Sequence, residues 1–191
     1  MDMFRITKSK LREALLALYF TNPSKKYYLR ELERILSFSV GNIRRELIKL
    51  ESTGLFLSEN KGSLVYYYLN NSYPLFNELK SIIFKTSGVP KMLQNVLEKF
   101  NNISQAFVYG SFAKEEERED GDIDLLIIGE VNEDKLVEEI SKLEIKLQRE
   151  INYTIYGKED FNKKKKEGNP FILDILKDKK IFLIGDKERM L

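Results

Sequence analysis

The sequence predicts a two-domain protein of the α/β (α+β) class, and three observations support this prediction. The chain has 191 residues, of which 42% are hydrophobic and 32% charged, as expected of a globular protein with a buried core. Residues 1–90 carry 14 Lys and Arg against 8 Asp and Glu, whereas residues 91–191 carry 18 against 22. The predicted elements also change along the chain: the first part has helices followed by a hairpin, and the second part has mixed strands and helices. We place a basic domain at 1–72, a connector at 73–90 and a second domain at 91–191.

The first domain begins with three predicted helices. The first follows Ser9, which is suited to cap it, and ends before Pro23. The second is predicted over 28–36 and the third over 40–52, where Gly54 suits the C-terminal cap. The apolar positions at helical spacing are Leu11, Ala14, Leu15 and Leu18 in the first helix, Leu29, Leu32, Ile35 and Leu36 in the second, and Ile43, Leu47 and Leu50 in the third.

Two β-like runs follow the third helix and predict a hairpin. They cover residues 55–58 and 64–69, and the polar stretch 59–63 is predicted to be the turn. The second run contains three consecutive tyrosines at 66–68. Alternate tyrosines are expected to pack the sheet against the helices, and the alternative is that they stack on nucleic-acid bases.

This order of elements is that of a winged helix-turn-helix, and residues 28–55 resemble the DNA-binding domains of small prokaryotic repressors of that class. The third helix carries a polar, cationic face opposite its apolar one. Such a face can enter the major groove, where Arg and Asn read base edges and Lys contacts phosphate. The alternative is an ordinary solvated helix face. The candidate DNA-binding residues are Asn42, Arg44, Arg45 and Lys49 on the helix and Lys61 at the wing tip.

The connector is predicted to contain one helix, which leads into the second domain. Its apolar positions are Leu75, Leu79, Ile82 and Ile83, and it ends near 85–88. Such an added helix is a possible homodimer contact. In the second domain, helices are predicted over 91–100, just after Gly110, over 133–148 and from Phe161 onward. Strands are predicted over 105–109, 122–128, 151–156 and 180–184, which indicates a mixed sheet with flanking helices.

The composition excludes several kinds of chemistry. The chain has no Cys and no His, so it offers no thiol nucleophile, no imidazole base and no disulfide. Catalysis would therefore depend on carboxylates, metal ions, Lys, Tyr or backbone dipoles. No apolar run approaches the roughly 18 residues of a membrane-spanning helix, and no secretory signal is apparent at the N-terminus. We expect a cytoplasmic location and no membrane partner.

Two short motifs predict a site in the second domain. A Gly110-Ser111 turn follows an apolar strand, and Asp122 and Asp124 stand two residues apart on the next strand. Side chains alternate along a strand, so both aspartates project from one face. Two like charges on an apolar strand are costly unless a cation lies between them, and divalent ions holding a triphosphate would meet that need. The alternative is a pair of solvated carboxylates at the start of a strand.

Together these motifs resemble the signature of minimal nucleotidyltransferases of the DNA polymerase beta superfamily, most clearly over 105–129. The resemblance implies a nucleotidyltransferase-like mixed sheet with flanking helices. It implies that Gly110 lets the backbone approach a triphosphate, that Ser111 binds phosphate, and that Lys114 adds a phosphate contact. It also implies that Asp122 and Asp124 are catalytic and hold two Mg²⁺ ions, one activating an acceptor hydroxyl and one holding the nucleoside triphosphate.

The sequence departs from the family pattern at two places. Glu115, within the acidic segment 115–120, stands where the family usually has glycine, which makes the entrance repulsive to a triphosphate. The third carboxylate of the superfamily has its counterpart at Asn152, an amide that brings no negative charge. Glu150 or Asp160 could substitute for it. Loss of this carboxylate predicts a domain that is either a slow transferase or catalytically inactive.

Three functions follow from these motifs. The first is an enzyme that transfers a nucleoside monophosphate to a hydroxyl on a protein, an RNA or a small molecule. The second is a transcriptional regulator whose nucleotidyltransferase-like domain senses nucleotide or binds a partner. The third is an antitoxin that represses its operon and modifies or binds a toxin. The lysine run 163–166 is either a solvated helix end or a phosphate contact.

Overall fold

A computed structural model describes residues 9–114 and 121–186, so the acidic segment 115–120 lies outside the described residues. The chain divides into two compact units. The first extends to Val89 and includes Lys146–Gln148, and the second comprises Pro90–Ile145 and the residues from Arg149 onward. Within the described ranges, no helix is both long enough and apolar enough to cross a membrane.

The first unit combines helices with a small antiparallel sheet. Ser9 caps the first helix as predicted, because its hydroxyl accepts a hydrogen bond from the Arg12 backbone N–H at 3.2 Å. Gly54, at φ +80°, follows the third helix in the left-handed conformation expected of a C-terminal cap. The helices are α1 (Lys10–Thr21), α2 (Leu29–Leu36), α3 (Val40–Ser52) and α4 (Phe76–Thr86), and the strands are β1 (Tyr27–Tyr28), β2 (Phe56–Lys61) and β3 (Leu64–Leu69), in the sheet order β1-β3-β2.

The hairpin differs from its prediction in one respect. Residues 59–61 continue β2 rather than forming the turn, which is shortened to Gly62 and Ser63. β2 lies at the edge of the sheet, and an edge strand tolerates polar side chains such as Glu59 because one side faces solvent. Polarity therefore suggested a turn where the chain is still extended. The two-residue strand β1 was not predicted either.

Tyr19 lies at the centre of the first core. Its ring makes edge-to-face contacts with Tyr27 and Phe56, at centroid distances of 5.2 and 4.8 Å. Its hydroxyl donates a hydrogen bond to the backbone oxygen of Tyr67 at 3.1 Å, and burial raises its pKa. Tyr67 is buried as predicted for alternate tyrosines, while Tyr66 and Tyr68 are only half-buried. Strand β3 thus contributes one tyrosine of its three to this core.

The second unit is built on a four-stranded mixed sheet in the order β6-β5-β4-β7. β5 pairs parallel with β6, whereas β4 pairs antiparallel with both β5 and β7. The helical region predicted from Phe161 is two helices, separated where Asn169 caps the second one and Pro170 begins it. The strands are β4 (Ile103–Tyr109), β5 (Ile123–Gly129), β6 (Ile151–Tyr156) and β7 (Ile181–Ile184), and the helices are α5 (Val89–Leu97), α6 (Gly110–Lys114), α7 (Glu133–Leu147), α8 (Lys158–Lys166) and α9 (Pro170–Lys177).

Candidate nucleotidyl-transfer site

The turn from β4 into α6 brings the backbone against a carboxylate. Gly110 has φ +74°, a conformation that side chains rarely adopt. A Cβ at this position would also overlap Oδ2 of Asp124, well inside van der Waals contact. Both the backbone angle and the lack of space therefore require glycine here. Ser111 is exposed in the first turn of α6, while Phe112 and Ala113 anchor that helix in the core.

The two aspartates stand on the face of β5 that the alternation predicted. Ile123 and Leu125 are fully buried, so their neighbours project to the opposite side of the sheet. Asp122 is exposed just before the strand, and Asp124 is half-buried within it. Asp124 lies in register between Tyr109 of β4 and Asn152 of β6. A carboxylate, a phenol and an amide therefore share one face at the centre of the sheet.

Asn152 occupies the sheet position next to both aspartates. The parallel register sets it opposite Asp124, and its side-chain Nδ2 donates a hydrogen bond to Oδ2 of Asp122. The two predicted substitutes have other contacts. Asp160 pairs with Lys164 of α8 at 3.0 Å, and Glu150 gives its backbone oxygen to the Ile123 N–H at 2.9 Å. Among the residues that the structure describes, no three acidic side chains come together as a metal cluster.

The electrostatics of this face reflect two close carboxylates. Partial burial raises the pKa of Asp124, and the nearby charge of Asp122 raises it further. Burial also raises the pKa of Tyr109, with the charge of Asp124 next in effect, while its hydrogen bond with Thr154 acts in the opposite direction. A cation between the aspartates would relieve their repulsion. Tyr109 and Thr154 were not singled out from the sequence, although Tyr109 directly precedes the glycine turn.

Phe171, in the first turn of α9, is a further residue that sequence reasoning missed. Its ring meets Tyr109 edge to face at a centroid distance of 6.1 Å, and it is 42% exposed. Lys114, predicted to contact phosphate, forms an ion pair with Asp178 at 2.8 Å. The Tyr109–Phe171 and Lys114–Asp178 contacts each join residues more than 60 positions apart in the chain, so no local sequence pattern predicts them.

The donor set suits a divalent ion of the hard type. Carboxylate oxygens are preferred ligands of Mg²⁺, and Asp122 and Asp124 present them from adjacent positions of one face. These residues fit one such ion. A site with three carboxylates for two ions does not fit, because Asn152 places an amide N–H group against Asp122.

The candidate DNA-binding residues lie on the first unit and are exposed. Asn42, Arg44, Arg45 and Lys49 occupy one side of α3, and Lys61 ends β2 beside the hairpin turn. The opposite side of α3 is buried and includes Glu46, which pairs with Arg12 of α1. That ion pair, which the sequence did not suggest, fixes the helix that carries the cationic face.

The tight glycine turn therefore lies directly beside the two strand carboxylates, as the sequence motifs led us to expect. Residues 91–188, just over half of the chain, match the model of the family described as Polymerase beta, Nucleotidyltransferase. The chain therefore belongs to this family of nucleotidyltransferases, as the sequence motifs predicted.

Three proteins are similar to parts of this chain. The "Putative protein adenylyltransferase MJ0604" of Methanocaldococcus jannaschii is 37% identical over 62 residues, which are 32% of this chain and 62% of the relative. The chain thus matches less than two thirds of that relative's length. A crystal structure of a toxin–antitoxin with AMP-PNP is similar with a TM-score of 0.39 and 12% identity, over 52% of this chain and 76% of that chain. A mutant of the toxin–antitoxin MntA-HpeT has a TM-score of 0.38 and 10% identity, over 53% and 76%.

Proposed function

We propose that the second unit binds a nucleoside triphosphate with a divalent ion and transfers its nucleoside monophosphate to a hydroxyl group of an acceptor. The observation that carries this proposal is the packing of the Gly110 turn against Asp124. A backbone turn free of side chains can approach phosphates, and the carboxylates beside it can hold their counter-ion.

In this reaction the acceptor oxygen forms a bond to the α-phosphorus, and the bond from that phosphorus to the bridging oxygen breaks. Pyrophosphate leaves, and the hydroxyl proton passes to solvent water. A bound divalent ion supplies charge neutralisation for the phosphates. Ser111 offers a hydroxyl at the start of α6 for phosphate contact, and Asp122 and Asp124 hold the negative charge that retains the cation.

The name of the Methanocaldococcus jannaschii relative supports a more specific version. We propose an adenylyl group as the one transferred and a protein hydroxyl as its acceptor. The test is incubation with ATP, GTP, CTP or UTP labelled at the α-phosphate, Mg²⁺ and a lysate of the source cells. A protein band that is labelled with ATP, but not with GTP, CTP or UTP, supports the proposal. Label transfer to RNA or to small molecules would contradict the protein acceptor.

The control separates the site from the rest of the surface. Asp122→Ala/Asp124→Ala is expected to abolish both labelling and binding of a non-hydrolysable ATP analogue. Asp134→Ala, at an exposed position of α7, removes a similar charge elsewhere and should leave both unchanged. Labelling that survives the double substitution would overturn the assignment of the site.

We further propose that the first unit is a winged helix-turn-helix that binds double-stranded DNA through α3. Support comes from the exposed cations of α3 opposite a buried apolar side, together with Lys61 beside the hairpin turn. Arg44→Ala/Arg45→Ala is expected to weaken binding and to reduce the slope of log K against log salt by roughly 2, if each arginine neutralises one phosphate. Lys80→Ala/Lys85→Ala on α4 is the charge-matched control. An unchanged slope in the arginine variant would contradict the proposal.

A second candidate function is favoured by Asn152. With an amide in place of a third carboxylate, the domain would bind nucleotide and report it to the DNA-binding unit without turnover. DNA affinity that changes on adding an ATP analogue, in a protein that labels no acceptor, would favour this regulator over the enzyme.

A further inference from the structure

The small sheet of the first unit has one side that does not face the core. Strand β3 lies between β1 and β2, and residues paired directly across a sheet project from the same side. Tyr66 pairs with Tyr28 of β1 and with Glu59 of β2, and Tyr68 pairs with Leu57 of β2. The three tyrosines are half-buried and Leu57 is exposed. This side of the sheet, the outer face, is therefore open to solvent and carries three tyrosine rings.

Cationic side chains lie beside these rings. Arg34 donates a hydrogen bond to the Tyr28 hydroxyl at 2.9 Å. The ammonium group of Lys26 lies 4.3 Å from the centre of the Tyr68 ring, a cation–π contact. Lys61 ends β2 beside the hairpin turn. All three cations are exposed, so the outer face combines aromatic surface with accessible positive charge.

The outer face also carries a carboxylate, that of Glu59. It accepts a hydrogen bond from Lys26 at 2.8 Å, and the two side chains are 42% and 41% exposed. A pair this exposed is screened by water and stabilises the fold little. An anion that approached Lys26 would therefore compete with Glu59, and removal of this carboxylate would leave Lys26 available to the anion.

Single-stranded nucleic acid has the chemistry that fits this combination. Its unpaired bases can stack on tyrosine rings, while its phosphates contact the cations beside them. A duplex keeps its base faces within its own stack, so it would contact the cations but not the rings. An apolar protein surface would cover Lys26, Arg34 and Lys61 without neutralising them, which is unfavourable.

We propose that the outer face binds single-stranded nucleic acid, with bases stacked on Tyr66 and Tyr68 and phosphates held by Lys26 and Arg34. Base stacking is the alternative that the sequence left open for these tyrosines. Apart from Lys61, the outer face shares no residue with the surface proposed to bind duplex DNA. The inference therefore goes beyond both proposed functions and stands independently of them.

The experiment measures the fluorescence anisotropy of labelled oligothymidine DNA and oligouridine RNA, each of roughly 12 nucleotides, during titration with the full chain. Tyr66→Ala/Tyr68→Ala is expected to weaken binding about tenfold or more, because each lost ring removes a stacking contact. Tyr66→Phe/Tyr68→Phe keeps both rings and should bind within about twofold of the wild type. Thermal unfolding of each variant shows that it is folded.

A substitution that increases affinity gives the sharper test, because damage to the fold would lower affinity instead. Glu59→Gln removes the carboxylate that competes for Lys26, and should tighten binding about threefold at low salt. It should also steepen the slope of log K against log salt by up to about 0.7, the value for one further phosphate contact on a single strand. Glu78→Gln, at an exposed position of α4, removes the same charge elsewhere and should change neither quantity.

The outcomes are distinct. Binding of the DNA or the RNA probe, lost in the alanine variant and gained in Glu59→Gln, supports the inference and identifies the kind of strand. A wild type that binds neither probe at low salt would overturn it, as would an unchanged affinity in Glu59→Gln. Equal losses for a single strand and for a duplex in the alanine variant would assign the rings to duplex binding and also overturn it. Self-association that is lost in this variant, without any binding of the probes, would assign the outer face to a second copy of the chain instead.

Discussion

The two candidate sites differ in how much the protein itself constrains them. The cationic side of α3 is an open surface, and Gly41 within it has no atom within 4 Å of a Cβ added there. The face around Asp124 is enclosed by its own neighbours, since the same test at Gly110 meets the carboxylate at once. The function of an open surface of the first kind can be recognised only from the partner that binds it. A site of the second kind holds two close carboxylates whose mutual repulsion a cation would relieve, and this can be recognised without knowing the partner.

The largest effect should come from adding one methyl group at the enclosed site. Gly110→Ala forces a strained backbone and overlaps Asp124, so the turn and the carboxylate must move apart. We expect at least a hundredfold loss of affinity for an ATP analogue, measured by calorimetry, and a loss of about 1–3 kcal/mol in unfolding free energy. Unchanged affinity would show that the turn does not contact the nucleotide.

An intermediate effect should come from the ion pair that supports the open surface. The Glu46 side chain is 10% exposed, whereas that of its partner Arg12 is 36% exposed. Arg12→Ala leaves a nearly buried carboxylate without its ionic partner and should cost about 2–3 kcal/mol. Glu46→Ala leaves an arginine that can turn to water and should cost less. Denaturant titration compares the two, and the reverse order would contradict this asymmetry.

A smaller effect is expected when the charge of Asp124 is removed, and this change in melting temperature should depend on pH. The pKa of Asp124 is raised by burial and by Asp122, so ionisation of this group destabilises the ligand-free fold. Asp124→Asn should therefore raise the melting temperature at neutral pH. The gain should shrink as the pH falls through the raised pKa and vanish below the ordinary aspartate pKa, where the carboxyl is protonated in both states. A gain that is constant with pH would point to packing rather than charge.

The smallest effect should come from the same methyl group on the open surface. Gly41→Ala on α3 meets no neighbour and replaces a poor helix former with the best one. We expect stability to rise by about 0.5 kcal/mol, in contrast to the loss at Gly110. Thermal unfolding of Gly41→Ala and Gly110→Ala under the same conditions checks that the first gains stability and the second loses it. A loss at Gly41 would mean that its surroundings are less open than the structure indicates.

Local signals in the sequence accounted for most of the fold. Ser9, Gly54 and the apolar spacing predicted the helices of the first unit to within a residue or two. β5 was readable because an apolar run follows Asp122 and is interrupted only by Asp124. The extension of β2 was missed because edge strands carry the polar residues that also mark turns. In the site, Gly110 and both aspartates were predicted, but the Phe171–Tyr109 and Lys114–Asp178 contacts depend on helices docking across the sheet.

The parallel pairing of β5 and β6 has a consequence for the order of folding. β4 and β5 bring the glycine turn and both aspartates together through antiparallel pairing of strands that are near in sequence. Asn152 joins them only when the residues 130–150 close a longer loop, and the entropy of that closure favours local contacts first. An emerging chain would therefore display the two carboxylates before their amide neighbour arrives. Metal ions present during synthesis would meet a half-assembled site.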